Sequence, residues 1–362
     1  MNHISELELS LAQFFNWNKA RLNCLTHILQ ALFLVRTINL AQIAVAFQTN
    51  CKIESAYRRV CRFFTDFSFD LSSITPFIFK LFPLNEKSIL ILDRTNWKWG
   101  KTPINILMLS ISYKGLSIPF FWSVLDLEGN SCTDDRIFLL KRVLRKIPQD
   151  RILAVVADRE FIGQEWFSYL INESIPFIIR VKKSYKVFKL DLPLSMSLNK
   201  FLKEFGRRKK ALNIPITMWG LQLYLSFQKG RKGAKEPMIL VSNYKFDNAL
   251  TIYKIRWEIE TLFSCLKTRG FHLEDTHITD SEKIEKILFV LTIAFCWAYK
   301  TGELKAKEAP IPKKSHGRKA KSLFRLGLDF VRRIIMRVDK SMKEFMQILT
   351  PIIDLSKRSH SL

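Results

Sequence analysis

The stretch Ser88-Ile89-Leu90-Ile91-Leu92-Asp93 is an apolar run that ends in a carboxylate, and it decides how the middle of this chain is interpreted. The run from Ile152 to Ala157 repeats the pattern and is followed by Asp158. Short continuous apolar runs of this kind are typical of strands that are buried on both faces. Each strand therefore places an aspartate at its carboxyl end, the edge at which open α/β sheets build their functional sites.

Further strands and helices surround these two runs. We predict strands at 104–113, 118–127, 176–181 and 238–241, and helices at 136–147 and 163–173. This mixture predicts an α/β fold with a mixed sheet in the middle of the chain. Helical periodicity dominates residues 1–80, and one C-terminal helix is predicted over about 322–353, so we expect three regions, 1–80, 81–300 and 301–362.

The N-terminal region contains a pattern that resembles a helix-turn-helix. An apolar run at 40–47 is followed by a polar break at 48–50 and by a second helical run at 53–64, which carries Arg58, Arg59 and Arg62. Any two short helices joined by a polar turn give the same pattern, so a plain helical bundle is an equally good interpretation.

The charge balance predicts a polyanionic partner. The chain has 58 Lys and Arg residues against 33 Asp and Glu residues, a formal net charge of +25. Nucleic acid is the commonest partner of such a chain. Residues 180–235 alone contain 15 Lys or Arg residues against two acids, with one cluster at Arg207, Arg208, Lys209 and Lys210. We predict a β-rich insertion at about 182–236 that holds a phosphate backbone; a solvated loop is the alternative.

The residues Tyr253 to Lys267 predict a helix with two chemically different faces. At about 100° per residue, one face carries aromatic, cationic and carboxylate side chains, namely Tyr253, Arg256, Trp257, Glu260 and Lys267. The opposite face is apolar and provides a packing surface.

Three carboxylates could meet around this helix. Asp93, Asp158 and Glu260 together would bind hard divalent cations, Mg²⁺ or Mn²⁺, and two such ions support an in-line phosphoryl displacement. Each aspartate taken alone also fits a solvated residue at the end of a strand, and Glu260 fits an i,i+4 ion pair with Arg256.

The cysteines and apolar runs predict a cytoplasmic protein that does not enter a membrane. The six cysteines form no CxxC pair and no metal-ligand spacing, which is typical of a reduced compartment. No secretion signal is evident at the N-terminus. The longest apolar run, at 287–299, is too short to span a bilayer and is interpreted as a buried helix.

The spacing of Tyr253, Arg256, Glu260 and Lys267 resembles the YREK signature of DDE transposases from bacterial insertion sequences, specifically insertion-sequence family four. The stretch 92–97 is similar to the first-aspartate motif of that family, and 157–161 to its second. The resemblance extends over about 88–333.

The resemblance implies an RNase H-like catalytic core at 81–300 with a β insertion, between a helical DNA-binding domain and a basic helical C-terminal region. It implies that Asp93, Asp158 and Glu260 bind two catalytic ions. In the family's pattern the remaining signature side chains, Tyr253, Arg256 and Lys267, position phosphates near the transposon end.

The resemblance also implies that a base is flipped out of the duplex while a DNA hairpin forms during excision. The probe position of the family falls on Trp257. The position that stacks on the flipped base falls on Met238, where the family has tryptophan, and Trp219 on the insertion hairpin is a possible substitute.

The implied partner is double-stranded DNA, both the terminal inverted repeats and the target, bound by a homodimer. Two alternatives remain open at this point. One is an RNase H-like nuclease that cuts without joining strands, and the other is a DNA-binding protein that derives from a transposase and has lost catalysis.

Overall fold

A computed structural model describes residues 3–47, 49, 51–83, 87–125, 128–189, 195–204, 206, 208–230, 236–315, 317–337 and 342–352. The chain divides into two compact units. A helical unit comprises Met1–Pro83, Trp97–Ile104 and Phe263–Leu362, and a sheet unit comprises Leu84–Asn96 and Asn105–Leu262. The division into 1–80, 81–300 and 301–362 stays a prediction about function, because the compact units are defined by contacts alone.

The helical unit begins with five helices, α1 (His3–Ala12), α2 (Lys19–Val35), α3 (Leu40–Val45), α4 (Ile53–Thr65) and α5 (Thr75–Leu81). Asparagine side chains begin two of them: Asn18 Oδ1 accepts from the Arg21 amide at the start of α2, and Asn39 Oδ1 accepts from the Ala41 amide at the start of α3. The pair α3 and α4 matches the two helical runs of the predicted helix-turn-helix, and whether the pair binds DNA stays a prediction.

The sheet unit is built on the central sheet that the sequence predicts, and the mixed α/β class is confirmed. The elements of its first half are β1 (Ser88–Trp99), β2 (Thr102–Tyr113), β3 (Leu116–Leu125), α6 (Thr133–Leu144), β4 (Ile152–Ala157), α7 (Gln164–Asn172) and β5 (Phe177–Arg180). Strand β2 pairs antiparallel with β3, whereas β1 pairs parallel with β4, and β4 pairs parallel with β5.

The predicted insertion continues the same sheet. It contains β6 (Lys186–Lys189), β7 (Ser195–Ser197), α8 (Leu198–Glu204), β8 (Lys210–Met218) and β9 (Leu221–Gln228). Strands β8 and β9 form the hairpin of this insertion. Strand β10 (Met238–Ser242) pairs antiparallel with both β9 and β5, so the strand order across the described residues is β3-β2-β1-β4-β5-β10-β9-β8-β6-β7.

After β10 the chain forms α9 (Ala249–Lys254), α10 (Trp257–Leu266), α11 (Ser281–Glu308), α12 (Leu323–Ile335) and α13 (Met342–Leu349). The prediction of one helix over about 322–353 is wrong, since α12 ends at Ile335 and α13 is separate. Every residue from Ile287 to Tyr299 is buried, which confirms the predicted buried helix. Among the described residues α11 alone is long and apolar enough to cross a membrane, but 83% of its most apolar window is buried inside the protein.

Candidate active site

Parallel pairing of β1 with β4 places two carboxylates side by side. The last paired residues are Leu92 and Ala157, and Asp93 and Asp158 follow them directly. Strand β1 itself continues through Asp93 to Trp99, so the expectation that the strand ends at Asp93 is wrong. Each aspartate accepts a hydrogen bond from the next backbone amide, Asp93 from Arg94 at 2.8 Å and Asp158 from Arg159 at 2.7 Å.

A single guanidinium connects the first aspartate to the third carboxylate. Arg256 Nη1 donates to Asp93 Oδ2 at 2.8 Å, and Arg256 Nη2 donates to Glu260 Oε1 at 2.6 Å. The Arg256 side chain is only 6% exposed. A buried cation needs charged partners to offset its desolvation, and here both partners are carboxylates that the sequence singled out.

The tyrosine of the signature contacts the second aspartate. Tyr253 is buried, and its phenolic hydroxyl donates to Asp158 Oδ1 at 3.3 Å. Burial and the adjacent Asp158 raise the pKa of Tyr253, so it remains a neutral donor. All three carboxylates are thus held by side chains from one short segment, Tyr253 to Glu260.

A sequence model described as the transposase DDE domain matches residues 84–297. The chain belongs to the DDE transposase family. The match covers the sheet, the insertion and the signature segment. No curated protein sequence matches the chain.

The signature of this transposase is not one continuous helix, which corrects the sequence interpretation. Helix α9 ends at Lys254 and α10 begins at Trp257. At the junction the backbone makes i→i−3 hydrogen bonds, Ile255 N to Ile252 O and Arg256 N to Tyr253 O, each 3.0 Å. This tight turn breaks the regular periodicity, so the single aromatic and charged face that an uninterrupted helix would present does not form.

The half-buried carboxylates of this cluster repel one another. Burial raises the pKa of Asp93 to about 6; Arg256 and the Arg94 amide oppose the rise, while Glu160 and Asp158 add to it. Glu160 is itself paired with Arg94 at 3.2 Å. The site is therefore a concentration of acids balanced by arginines.

Enzymes of this family use divalent metal ions. The donor chemistry fits, since Asp93, Asp158 and Glu260 offer the carboxylate oxygens that Mg²⁺ and Mn²⁺ prefer. In the described part of the chain, however, no three His, Cys, Asp or Glu side chains are arranged to hold one ion. Arg256 lies between Asp93 and Glu260, so binding an ion with both carboxylates requires that guanidinium to move.

The two residues proposed for base flipping differ in exposure. Trp257 is 58% exposed, and the Arg256 guanidinium lies 5.2 Å from its ring centroid. Met238 is half-buried and begins β10, where it pairs with Gln228. Ala157 of β4 pairs with Ile179 of β5, and two residues further along the chain Val181 N donates to Ile239 O. Met238 therefore lies at the same edge of the sheet as Asp158.

Trp219 does not fit the role of a substitute stacker. It lies in the turn between β8 and β9, at the end of the hairpin opposite to Gln228 and Met238. Its ring packs edge-on against Phe167 and Tyr185, with centroid distances of 5.8 and 5.7 Å. Met238 is therefore the candidate that the sheet register favours.

Lys267 belongs to the helical unit. It is the last residue of the signature and follows α10 directly. Its ammonium pairs with Glu274 at 2.8 Å and lies 5.2 Å from the ring centroid of Trp97. Lys267 therefore contacts Glu274 and Trp97 in this structure, and its contact with phosphate stays a prediction.

Sequence reasoning missed a basic pocket beside Asp158. Arg159 Nη1 pairs with Glu236 at 2.9 Å, and Arg180 Nη2 approaches the same carboxylate at 3.8 Å. These residues, with Lys182 and Lys183, line a pocket of about 180 Å³. The sequence signal for this pocket was Arg159, which directly follows Asp158, together with Arg180 at the end of β5.

The predicted phosphate-binding cluster lies partly outside the described residues, since Arg207 is not among them. Arg208, Lys209 and Lys210 are exposed. Lys210 pairs with Gln228, which pairs with Met238, so Lys210 lies along the sheet edge that carries Asp158.

A second group of cations lies in the helical unit. Arg58 and Arg59 on α4 line a groove of about 620 Å³, together with Arg21 and Arg62. Arg59 is tied to Asn23 by a 2.8 Å hydrogen bond, whereas Arg58 is exposed. Arg62 belongs to the same predicted helix as Arg58 and Arg59, whereas Arg21 was not singled out from the sequence.

Proposed function

We propose that this protein is a cut-and-paste transposase of an insertion sequence of family four. Asp93, Asp158 and Glu260 are its catalytic carboxylates in this proposal. The observation that carries it is the hydrogen-bonded cluster in which Arg256 holds Asp93 and Glu260 while Tyr253 holds Asp158. An ordinary solvated aspartate at a strand end does not require a buried arginine that joins it to a helix glutamate.

The proposed catalytic core has an RNase H-like arrangement. Support comes from the strand order β3-β2-β1-β4-β5. Strands β3, β2 and β1 each run antiparallel to the next, whereas β4 and β5 both run parallel to β1. In such a sheet the carboxyl ends of β1 and β4 are neighbours, and a helix after the sheet can supply the third acid.

Two ions of Mg²⁺ or Mn²⁺ held by the three carboxylates would supply Lewis-acid stabilisation of the phosphate and a deprotonated attacking oxygen. The protein residues orient the acids. Backbone amides of Arg94 and Arg159 fix one oxygen of each aspartate, and the Tyr253 hydroxyl holds Asp158. If Arg256 gives up one of its two carboxylate partners, its forked guanidinium can donate hydrogen bonds to a phosphate oxygen instead.

The proposed DNA path follows the basic edge of the sheet unit. Arg159 and Arg180 line the pocket beside Asp158, and Lys209 and Lys210 extend the positive edge along the insertion. In this proposal Trp257 displaces the terminal base and Met238 covers its face with a polarizable thioether. The proposed excision then proceeds by nicking, hairpin formation, hairpin resolution and strand transfer.

The helical unit would add recognition of the transposon end. Helix α4, with Arg58 and Arg59, is the proposed DNA-binding element, and double-stranded terminal repeats and target DNA are the proposed partners. We further propose that the protein acts as a homodimer on paired ends in the bacterial cytoplasm.

The carboxylates provide the test of this function. We expect Asp93→Asn, Asp158→Asn and Glu260→Gln each to abolish nicking of an end-sequence oligonucleotide in Mg²⁺. DNA affinity should change little, because binding depends mainly on Lys and Arg contacts. The matched control is Glu258→Gln, a half-buried acid on the same helix that contacts none of the proposed catalytic groups in the described structure. Substantial nicking by any of the three variants would remove that residue from the catalytic set.

Nicking, measured together with joining of the same oligonucleotides to target DNA, separates the two alternatives, a simple nuclease and a protein that only binds DNA. A simple nuclease would cut but never join a pre-cleaved end to target DNA, and a protein that only binds DNA would do neither. Short inverted repeats flanking the gene would supply the end sequence for these oligonucleotides.

A further inference from the structure

A basic pocket in the helical unit has no role in the proposed chemistry. It has a volume of about 270 Å³ and lies where the end of α2, the turn after α10 and the start of α12 meet. Its lining includes three arginines, Arg36, Arg269 and Arg325, and among the described residues that line it there is no aspartate or glutamate. A pocket with this lining is electrostatically suited to an anion.

Arg36 is placed in this pocket at a conformational cost. It ends α2 in the left-handed conformation, with φ of 60°, a position where glycine is the usual residue. Its Nη2 donates to the carbonyl of Arg269 at 3.0 Å. Its Nε is shielded from solvent and has no hydrogen-bond partner within the described structure. A donor that is shielded from water without an acceptor destabilises the fold, and an anion in the pocket would supply the missing acceptor.

Among the described residues, protein carboxylates balance the positive charges around the pocket only in part. Burial lowers the pKa of Arg36, and Arg325 and Arg332 lower it further, whereas Asp329 opposes them. Asp329 accepts from Arg325 Nε at 2.9 Å and from Lys321 at 3.1 Å, so one carboxylate serves several cations. Cations held together in this way repel one another unless an anion joins them.

The walls of the pocket are rigid. A Cβ at Gly270 would lie 2.1 Å from the Cys265 carbonyl oxygen and 2.8 Å from the Phe324 ring, so the turn that carries Arg269 is pressed against α12. Ser322 Oγ accepts from the Arg325 amide at 3.1 Å and fixes the first turn of α12. The arginines are therefore presented on a preformed frame.

We propose that Arg36, Arg269 and Arg325 bind a phosphate group of the DNA backbone at this pocket. The proposal rests on the proposed function, since DNA is the anion that a transposase handles. Guanidinium forks match the oxygens of a phosphate, and a volume of about 270 Å³ can take one phosphate but not a folded acidic partner.

The first experiment tests the anion site without DNA. We expect inorganic phosphate to raise the melting temperature of the full-length protein by about 2 °C or more beyond an equal ionic strength of chloride. Arg325→Gln and Arg36→Gln should reduce this shift by at least half. Arg337→Gln, which removes an exposed arginine beyond the far end of α12, is the matched control and should leave the shift unchanged.

The second experiment identifies the source of the phosphate. Affinity for a short duplex is measured against salt, and each pocket variant should weaken binding severalfold and lower the salt slope by about 1, as expected for one lost phosphate contact. Arg325 is half-exposed, so Arg325→Gln keeps the test valid should Arg36→Gln fold poorly.

Each outcome decides the proposal. The proposal is supported if the pocket variants reduce both the phosphate-induced rise in melting temperature and the salt slope of duplex binding. A phosphate shift that the variants lose, with an unchanged slope, would assign the pocket to a free phosphate compound and overturn the DNA assignment. No shift in the wild-type protein would overturn the site altogether. Nicking by the wild-type protein is scored separately, so failure of the proposed function is visible independently of the pocket.

Discussion

Among individual residues, Arg256 organises the site because one planar cation reaches two carboxylates at once. Its two terminal nitrogens are hydrogen-bonded to Asp93 and Glu260, a geometry that a lysine ammonium cannot reproduce from a single point. The adjacent Trp257 has the opposite character, since its side chain is exposed. We propose that these two neighbouring positions serve assembly of the acids and contact with DNA.

Trp257 provides a prediction that separates a transposase from a nuclease. Hairpin closure needs the terminal base to leave the duplex, whereas the first nick needs little distortion. We expect Trp257→Ala to nick at a near-normal rate and to accumulate nicked DNA with at least about tenfold less hairpin, as unstacking costs a few kcal/mol. Denaturing gels resolve the two products.

Two controls accompany this measurement. An abasic site at the flipped position should partly restore closure by Trp257→Ala, because the unstacking cost is then removed beforehand. Phe138→Ala removes another exposed aromatic side chain, on α6, and should behave like the wild-type protein. If Trp257→Ala loses both steps equally, Trp257 supports the fold rather than the base.

His27 predicts a pH dependence of stability. Burial, with Arg59 and His3 as further causes, lowers the pKa of His27 to about 4, and its ring stacks on Phe47 at 5.3 Å. The unfolded chain therefore binds a proton at higher pH than the folded one, and stability falls as the pH drops from about 6.5 towards 4. Between about pH 7.5 and 5.5 the His27 contribution should fall by about 1 kcal/mol.

Urea unfolding at the two pH values checks this prediction. His27→Gln removes the titrating group and should show a pH-dependent loss of stability that is smaller by about 1 kcal/mol. An identical loss in both proteins would show that His27 is protonated equally in the folded and unfolded chains.

Between elements, the closest contact of the helical unit is the crossing of α11 and α12 at two glycines. A Cβ at Gly302 would lie 1.9 Å from the Leu323 carbonyl oxygen, and a Cβ at Gly327 would lie 1.7 Å from the Ala298 carbonyl oxygen. Backbones that approach this closely leave no room for a side chain on either helix. The crossing also sets the position of Ser322 and Arg325 at the start of α12.

We therefore expect Gly302→Ala and Gly327→Ala each to destabilise the protein by about 3 kcal/mol or more, since the helices must separate to admit a methyl group. The midpoint of urea unfolding measures the effect. Gly163→Ala is the matched control, because a Cβ there meets nothing closer than Trp166 Cβ at 3.9 Å. Equal midpoints for all three variants would mean that α12 shifts without cost.

Across the whole molecule, a net charge of +25 is distributed unevenly. In the sheet unit the exposed Lys209 and Lys210 extend the edge that carries Asp158, and in the helical unit arginines line the groove beside α4. This distribution favours long contact with a phosphate backbone over contact at one point, so binding should depend strongly on salt.

Removing Lys209 and Lys210 tests the contribution of the insertion. The double variant Lys209→Gln/Lys210→Gln should weaken duplex binding and lower the salt slope by about 2, because two fewer counterions are released. The double variant Arg145→Gln/Lys146→Gln removes the same charge from exposed positions after α6 and is the control. Equal slopes for the two variants would favour the solvated-loop interpretation of the insertion.

The sequence by itself determined the mixed sheet, the two aspartates that follow apolar strand residues, the basic insertion and the buried helix at 287–299. These depend on local apolar runs and charge counts, which the printed residues display directly. Spacing of the signature segment likewise indicated the family that the sequence model confirms.

Tertiary structure alone decided the rest. No glycine or proline at 253–260 announces the turn between α9 and α10, because that turn forms where Tyr253 and Arg256 are buried against carboxylates from distant strands. The register of β8, β9 and β10 separated Met238 from Trp219. The meeting of α2, the turn after α10 and α12 assembled three arginines from distant parts of the chain. Such contacts depend on chain segments that no local pattern relates to one another.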